Sequence, residues 1–287
     1  MNNIIKKTLI ICTMLIVTVS MLSGCTSNES VTDNNIKVKK LEDEVESVNI
    51  SEKDAKVLKI GKTEIINENK DGNNANLKLI DTKTKVTNIS DFNIRNIELT
   101  LREYDKDNTA LAKTQSLSKI TLKPNESADI QAAHKKYAEN AKVIGYSYNV
   151  GNKLVDVDLE TNKVDISNTR DRIIKDTKYD ILGISKPEIV NEVNGGYSSK
   201  ITIKNISDKD IGSVVLQVAE LNDENEYTNI SYLDSYEVIK KSQEVSLISV
   251  HSEDAKNLEV IGYIYDDVKD NTTVEVNLKL NEVILLK

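Results

Sequence analysis

Two histidines, His134 and His251, stand 117 residues apart in the chain. An imidazole can ligate a metal or act as a pH-sensitive contact. Neither histidine has a second His, or an Asp or Glu repeated at ligand spacing, so no ordinary zinc or facial-triad iron site is assembled. A serine hydrolase would also need a positioned acid and a Ser on a strained elbow, and no Gly-x-Ser-x-Gly occurs. Each histidine is expected to be a strand-end residue inherited twice. Glu103 and Glu220, also 117 apart, fall on the inward-facing parity of a strand, where an unpaired carboxylate would be costly. The expectation is that each lies at an open end of a sandwich, or past a bulge that turns it outward; the alternative is a cation-binding or partner-binding acid. Asp105-Lys106-Asp107-Asn108 and Asn222-Asp223-Glu224-Asn225 gather oxygen ligands as calcium loops do, but lack the Gly and distal Glu of an EF-hand. Solvated turns are expected there, with weak calcium binding as the alternative. No catalytic residue, metal or cofactor is expected.

Composition narrows the field further. The 287 residues carry 38 Lys and Arg against 46 Asp and Glu, with no basic stripe, which argues against nucleic acid as a partner. Only 10 Gly are present and none forms a phosphate-cradling loop. Trp is absent and 11 of the 12 aromatics are Tyr, so stacking platforms for sugars are hard to assemble.

The elements that would position these groups occur twice. Asn88-Ile89-Ser90-Asp91 returns as Asn205-Ile206-Ser207-Asp208, and Val143-Ile144-Gly145-Tyr146 as Val260-Ile261-Gly262-Tyr263, both displaced by 117. Glu64 to Glu68 matches Glu188 to Glu192 at 124, so the copies differ by seven residues in the intervening loop. Inside each copy the apolar period is two: Ile97, Leu99 and Leu101 alternate with polar neighbours, as do Val214, Leu216 and Val218. Further strands are expected at Ala128–Ile130, Val143–Tyr148 and Val155–Leu159, with counterparts at Val245–Leu247, Val260–Tyr265 and Val274–Leu278. Ile144, Tyr146 and Tyr148 should share one face, as should Ile261, Tyr263 and Tyr265. Short alternating strands without a long helical stretch point to an antiparallel sandwich of about seven strands per copy. Copy one is placed at 53–166 and copy two at 180–287, with 167–179 as a linker and the copies expected to behave as separate beads.

At the N-terminus, Lys6 and Lys7 precede an apolar run from Thr8 to Leu22, then Leu22-Ser23-Gly24-Cys25, the three-part layout of an export signal. A plain membrane-spanning anchor would need roughly twenty apolar residues, more than this run supplies. The ending resembles the lipobox of bacterial lipoproteins. That resemblance implies recognition of Leu22, Ser23 and Gly24 by a signal peptidase, removal of residues 1–24, and a diacylglyceryl group on the Cys25 thiol. Cys12 would leave with the signal, so no thiol would remain for nucleophilic catalysis, zinc or a disulfide. Two acyl chains suffice for stable attachment to one leaflet. Residues 25–52 read as the lipidated N-terminus and a polar tether.

Within the copies, Asn88 and Ser90, then Tyr104-Asp105, then Leu122-Lys123-Pro124-Asn125-Glu126 resemble the FxLYD-type immunoglobulin-like modules of bacterial surface lipoproteins. Leu101, Glu103 and Asn125 stand where that pattern has Phe, Leu and Gly. Copy two keeps Asn205 and Ser207 but has Leu221-Asn222 and Ile239-Lys240-Lys241-Ser242-Gln243 at the later positions. The resemblance implies a fold and no catalytic residues.

The sequence therefore leads to an all-β chain of two tandem antiparallel immunoglobulin-like β-sandwich domains behind a lipoprotein signal peptide and a polar tether. The expected role is non-enzymatic: a lipoprotein outside the cytoplasm, attached to the membrane through Cys25, presenting two modules for protein or envelope contacts, with no nucleic-acid partner. The alternative is a ligand-binding accessory lipoprotein of an envelope transport system.

Overall fold

The computed structural model describes residues 48–70, 78–134, 137–175, 179–193, 195–267 and 271–286. Leu22, Ser23, Gly24, Cys25 and most of the tether lie outside them. The described residues are all-β, with no α-helix among them.

Copy one contains β1 (Leu58–Lys70), β2 (Lys78–Asn88), β3 (Ile94–Tyr104), β4 (Ala110–Leu122), β5 (Ser127–Ala133), β6 (Asn140–Val150), β7 (Lys153–Asp158) and β8 (Lys163–Asn168). Strands β1-β2-β5 form one sheet and β4-β3-β6-β7-β8 the other, all antiparallel. Their inner faces meet in a single core, with Val86, Ala128 and Ile130 from the first sheet and Ile97, Leu99, Leu101, Tyr146, Tyr148 and Val155 from the second. Alternation decides this: in β3 from Arg95 to Tyr104 every second side chain is buried, and the ones between face water at least in part.

Copy two repeats the arrangement with β10 (Leu182–Ile184), β11 (Glu188–Val193), β12 (Gly196–Asn205), β13 (Val214–Leu221), β14 (Tyr227–Asp234), β15 (Glu244–Ser252), β16 (Asn257–Asp267), β17 (Thr272–Asn277) and β18 (Glu282–Leu286). Strands β10 and β11 occupy the place of β1, interrupted at Ser185-Lys186-Pro187. Proline has no N–H to give the ladder, so the strand stops there. Both copies are thus sandwiches, of eight strands in copy one and nine in copy two, where β10 and β11 stand in place of one, against the about seven expected.

The repeated sequence motifs have mechanical roles. Asn88 Nδ2 donates to the carbonyls of Phe92 (2.8 Å) and Leu122 (3.0 Å), while its Oδ1 accepts from the Ser90 amide (3.0 Å) and hydroxyl (2.6 Å). Asn205 does the same for Lys209, Ile239 and Ser207, at 2.8, 3.0, 2.9 and 2.6 Å. One buried amide therefore ties together three chain segments in each copy. The Ile-Gly-Tyr repeat is a β-bulge: the register of β13 against β16 slips between Val260 and Gly262, and that of β3 against β6 between Val143 and Gly145. A Cβ on Gly262 would stand 2.7 Å from the Val276 carbonyl oxygen, so the bulge requires glycine. The slip also corrects one expectation. Tyr263 and Tyr265 face the core of copy two, but Ile261 packs with the core cluster of copy one.

The segment between the copies contributes a strand. Ser167 and Asn168 finish β8, and β9 (Arg172–Ile174) pairs antiparallel with β18 at the edge of copy two. Packing of copy one starts before residue 53, since Ile50 is buried in its core and Val48 packs on the same cluster.

The copies are also not separate beads. Ala219, Leu221, Tyr227 and Ile261 of copy two are buried with the core of copy one, and Tyr227 pairs with Ala128 in the parallel sense. One sheet thereby runs from β1-β2-β5 through β14-β13-β16-β17-β18 to β9. The sequence pattern hides this joint because its side chains come from outward-facing parities and a bulge.

Candidate functional site

The sites singled out in the sequence come together in the interior. Glu103, on β3, and His134, one residue past β5, are buried, with His134 Nδ1 3.3 Å from Glu103 Oε1. On the far side of the ring, His134 Nε2 is 2.6 Å from the hydroxyl of buried Thr82 on β2. The Thr114 hydroxyl on β4 donates to the same Glu103 oxygen. Copy two repeats every member 117 residues later: His251 Nδ1 lies 2.9 Å from Glu220 Oε1 and Nε2 2.8 Å from the Ser199 hydroxyl. Asn229 and Ser231 on β14 add donors to Glu220 Oε1 at 3.3 and 3.4 Å.

The acids therefore do not turn outward at an open end. Each stays inside because a histidine from the opposite sheet reaches it, and that pairing meets the cost of burial. A carboxylate only accepts, so Nδ1 carries the proton that faces Glu, while Nε2 shares a hydrogen bond with the Thr or Ser hydroxyl. The network joins the three-stranded sheet to the five-stranded one, since Thr82 and His134 belong to the first side and Glu103 and Thr114 to the second. The histidines are repeated, as expected, but the functional unit is a hydroxyl–imidazole–carboxylate set. Sequence reasoning missed it although a signal was present: Thr82, Glu103, Thr114 and His134 each have a hydrogen-bonding counterpart 117 positions on.

Ser199, His251 and Glu220 have the order of a nucleophile, base and acid. All three side chains are buried. Ser199 is 0% exposed and the Tyr197 ring lies against His251 with centroids 5.4 Å apart, so the hydroxyl is not presented to solvent. Gly196 brings its backbone hard against the same strand: a Cβ there would meet the His251 carbonyl oxygen at 1.9 Å.

The two acidic loops are hydrogen-bonded turns. Asp105 Oδ1 accepts from the amides of Asp107 (2.9 Å) and Thr109 (2.8 Å), and Asn222 Oδ1 from those of Glu224 and Glu226 (both 2.9 Å). Asn108 and Asn225 take φ of 60° and 59°, the left-handed conformation that asparagine tolerates. Among the described residues no group of three His, Cys, Asp or Glu is placed to hold a metal ion.

The loop of copy two instead faces copy one across a cavity of about 550 Å³, lined by Lys62, Lys83 and Lys85 and by Asp129, Asp223, Glu224 and Glu226. Lys85 Nζ is 2.6 Å from Glu226, and that hydrogen bond raises the Lys85 amine above its ordinary range. Beside it, Lys279 Nζ reaches the Thr121 carbonyl (3.0 Å), Glu126 (2.5 Å) and the Tyr227 hydroxyl, and lies 4.2 Å from the Tyr227 ring centroid. Burial lowers the Lys279 amine, an effect that Glu126 opposes. Asn277 Nδ2 donates to the Thr121 hydroxyl at 2.7 Å.

No family model matches the chain, and no curated protein matches it. Among solved structures it is similar to the exo-chitosanase CsxA of Amycolatopsis orientalis, at 12% identity and a TM-score of 0.21 over 68% of this chain and 25% of that one. It is also similar to red sea bream transglutaminase, at 9% identity and a TM-score of 0.21 over 77% of this chain and 29% of that one. The chain thus spans between a quarter and a third of these proteins, and likeness this slight carries neither activity across.

Proposed function

We propose that the protein is a non-enzymatic lipoprotein, anchored outside the cytoplasm through a lipid on Cys25 and presenting two immunoglobulin-like modules for protein or envelope contacts. The observation that carries this reading is the inward orientation of the hydroxyl–imidazole–carboxylate set in both copies. Groups that could do chemistry are used to hold sheets together, so the exposed surface consists of strand edges, turns and loops, which are reusable contact surfaces. The Leu22-Ser23-Gly24-Cys25 ending supports the anchor. Joined copies would present one stiff body above the membrane, with the tether setting its reach.

A second reading, a ligand-binding accessory of an envelope transport system, is favoured by the mixed-charge cavity between Lys62, Lys83, Lys85 and the loop of Asp223 to Glu226. Crosslinking of intact cells followed by mass spectrometry separates the two. Recovery of one dominant protein neighbour supports the contact role. A small molecule that copurifies with the chain, and is lost in Lys85→Glu, supports the second reading against the first.

A further inference from the structure

Strands β5 and β15 are the same strand of the duplicated fold, each paired within its own copy on one side only, β5 with β2 and β15 with β12. The free side of β5 is met by copy two, through Tyr227 beside Ala128 and through Gln131 Nε2, which donates to the Thr228 carbonyl at 3.4 Å. The other side of β15 has no such pairing: β15 forms a ladder with β12, β14 of its own copy lies near it without one, and among the described residues no second strand pairs with it. An open edge in a monomer ordinarily carries charge, proline or a bulge that deters further pairing. Here the chemistry runs the other way. Outward positions on the covered strand are Asp129, Gln131 and Ala133; their counterparts on the open strand are Ser246, Ile248 and Val250. Ile248 and Val250 are 67% and 66% exposed. Strand β15 contains no Lys, Arg or Pro, and its ladder with β12 runs from Lys204–Glu244 to Gly196–Ser252 without a register shift, so the edge is also regular.

We propose that β15 pairs antiparallel, edge to edge, with β15 of a second copy of this chain, making one continuous sheet about a two-fold axis. The strand is self-complementary. Turned end for end about Ile248, it sets Ile248 beside its equivalent, Ser246 beside the partner's Val250 and Glu244 beside the partner's Ser252, so apolar side chains adjoin and no like charges face each other. A head-to-tail repeat of the internal joint lacks its anchors. The positions of Tyr227 and Lys279 are held in copy one by Ala110 and Glu160, which cannot supply the ring or the ammonium. The pairing goes beyond the contact role proposed above by naming a partner, and does not depend on the lipid.

The test uses the full chain purified in detergent. Ser246→Cys, Ile248→Cys and Val250→Cys variants are oxidised and compared with the unsubstituted chain, which reports any crosslink through Cys12 or Cys25, and with Leu154→Cys, exposed on β7. The expected result is a disulfide-linked species of twice the chain mass for Ile248→Cys, whose thiols would adjoin across the two-fold axis, and for neither control, with Ser246→Cys and Val250→Cys linking only when the two variants are mixed. Light scattering of the unsubstituted chain should give a dimer, lost in the Ile248→Lys/Val250→Lys double variant while its thermal midpoint stays unchanged. A monomeric unsubstituted chain overturns the proposal, as does a dimer that survives the double substitution, or equal crosslinking at Leu154→Cys.

Discussion

His251 lies between Glu220 and Ser199, so each of the three side chains relies on another for a hydrogen bond it cannot obtain from water. Replacing the ring by Leu removes both bonds at once. His251→Leu should cost about 2–4 kcal/mol, since each buried polar group that loses its partner costs roughly 1–3 kcal/mol. The double variant Glu220→Leu/His251→Leu should cost less than the two single changes added together, because no polar atom of the pair is then left behind. Urea unfolding of the four proteins checks both statements, and simple additivity would mean that the pair is not coupled. A second residue-scale prediction concerns alkali. Burial pushes the phenols of Tyr148, Tyr227 and Tyr263 far above their ordinary value of 10.0. The folded state thus holds these protons more tightly than the unfolded chain. Their contribution to stability is complete below pH 10 and falls as the pH rises beyond it. Phenolate absorbance of these residues should appear together with the loss of near-ultraviolet circular dichroism. At this scale the inward parity of Glu103 and Glu220 was legible in the sequence. Their partners were not, because a histidine 31 residues away becomes a neighbour only when β5 or β15 is laid on the opposite sheet.

Strands and turns depend on a few irregular positions. Asn205 makes four side-chain hydrogen bonds across three segments, so Asn205→Ala should destabilise copy two by about 2–4 kcal/mol at roughly 1 kcal/mol per bond. Amide exchange should rise first at Ser207 and Lys209, and an unchanged exchange pattern there would contradict the role given to the amide. Gly196→Ala should disrupt β12 where it adjoins β15, because its Cβ has no space beside the His251 carbonyl oxygen. Strand identity was readable from the period of two, as β3 shows, and the Asn-Ile-Ser-Asp and Val-Ile-Gly-Tyr repeats marked the turn and the bulge. What they did not reveal was the consequence of the bulge. One extra residue reverses the face of Ile261, and a count of alternating positions cannot register that without the ladder partner.

At the scale of the whole molecule the duplicated halves behave as one body. Lys279, part-buried against Glu126, Thr121 and Tyr227, bridges the joint between them, and copy one has Glu160 in its place. Thermal unfolding should therefore follow a single transition, and Lys279→Glu should split it into two by removing the ammonium from Tyr227 and Thr121 and opposing Glu126 with a like charge at a part-buried joint. Calorimetry reads this directly; two transitions in the unsubstituted chain would contradict the joint. Tandem duplication was legible from the constant offset, whereas the joint was not, since Ala219, Leu221 and Tyr227 belong to ordinary alternating strands until the copies are brought together. A stiff pair of sandwiches with inward-turned reactive groups suits a displayed contact surface, provided that the chain is moored at its N-terminus. The most direct measurement is the mass of the N-terminal peptide of the mature protein isolated from membranes. The account predicts a peptide that begins at Cys25 and carries a diacylglyceryl group on sulfur. A mature chain that begins elsewhere, or a Cys25 without lipid, would contradict it.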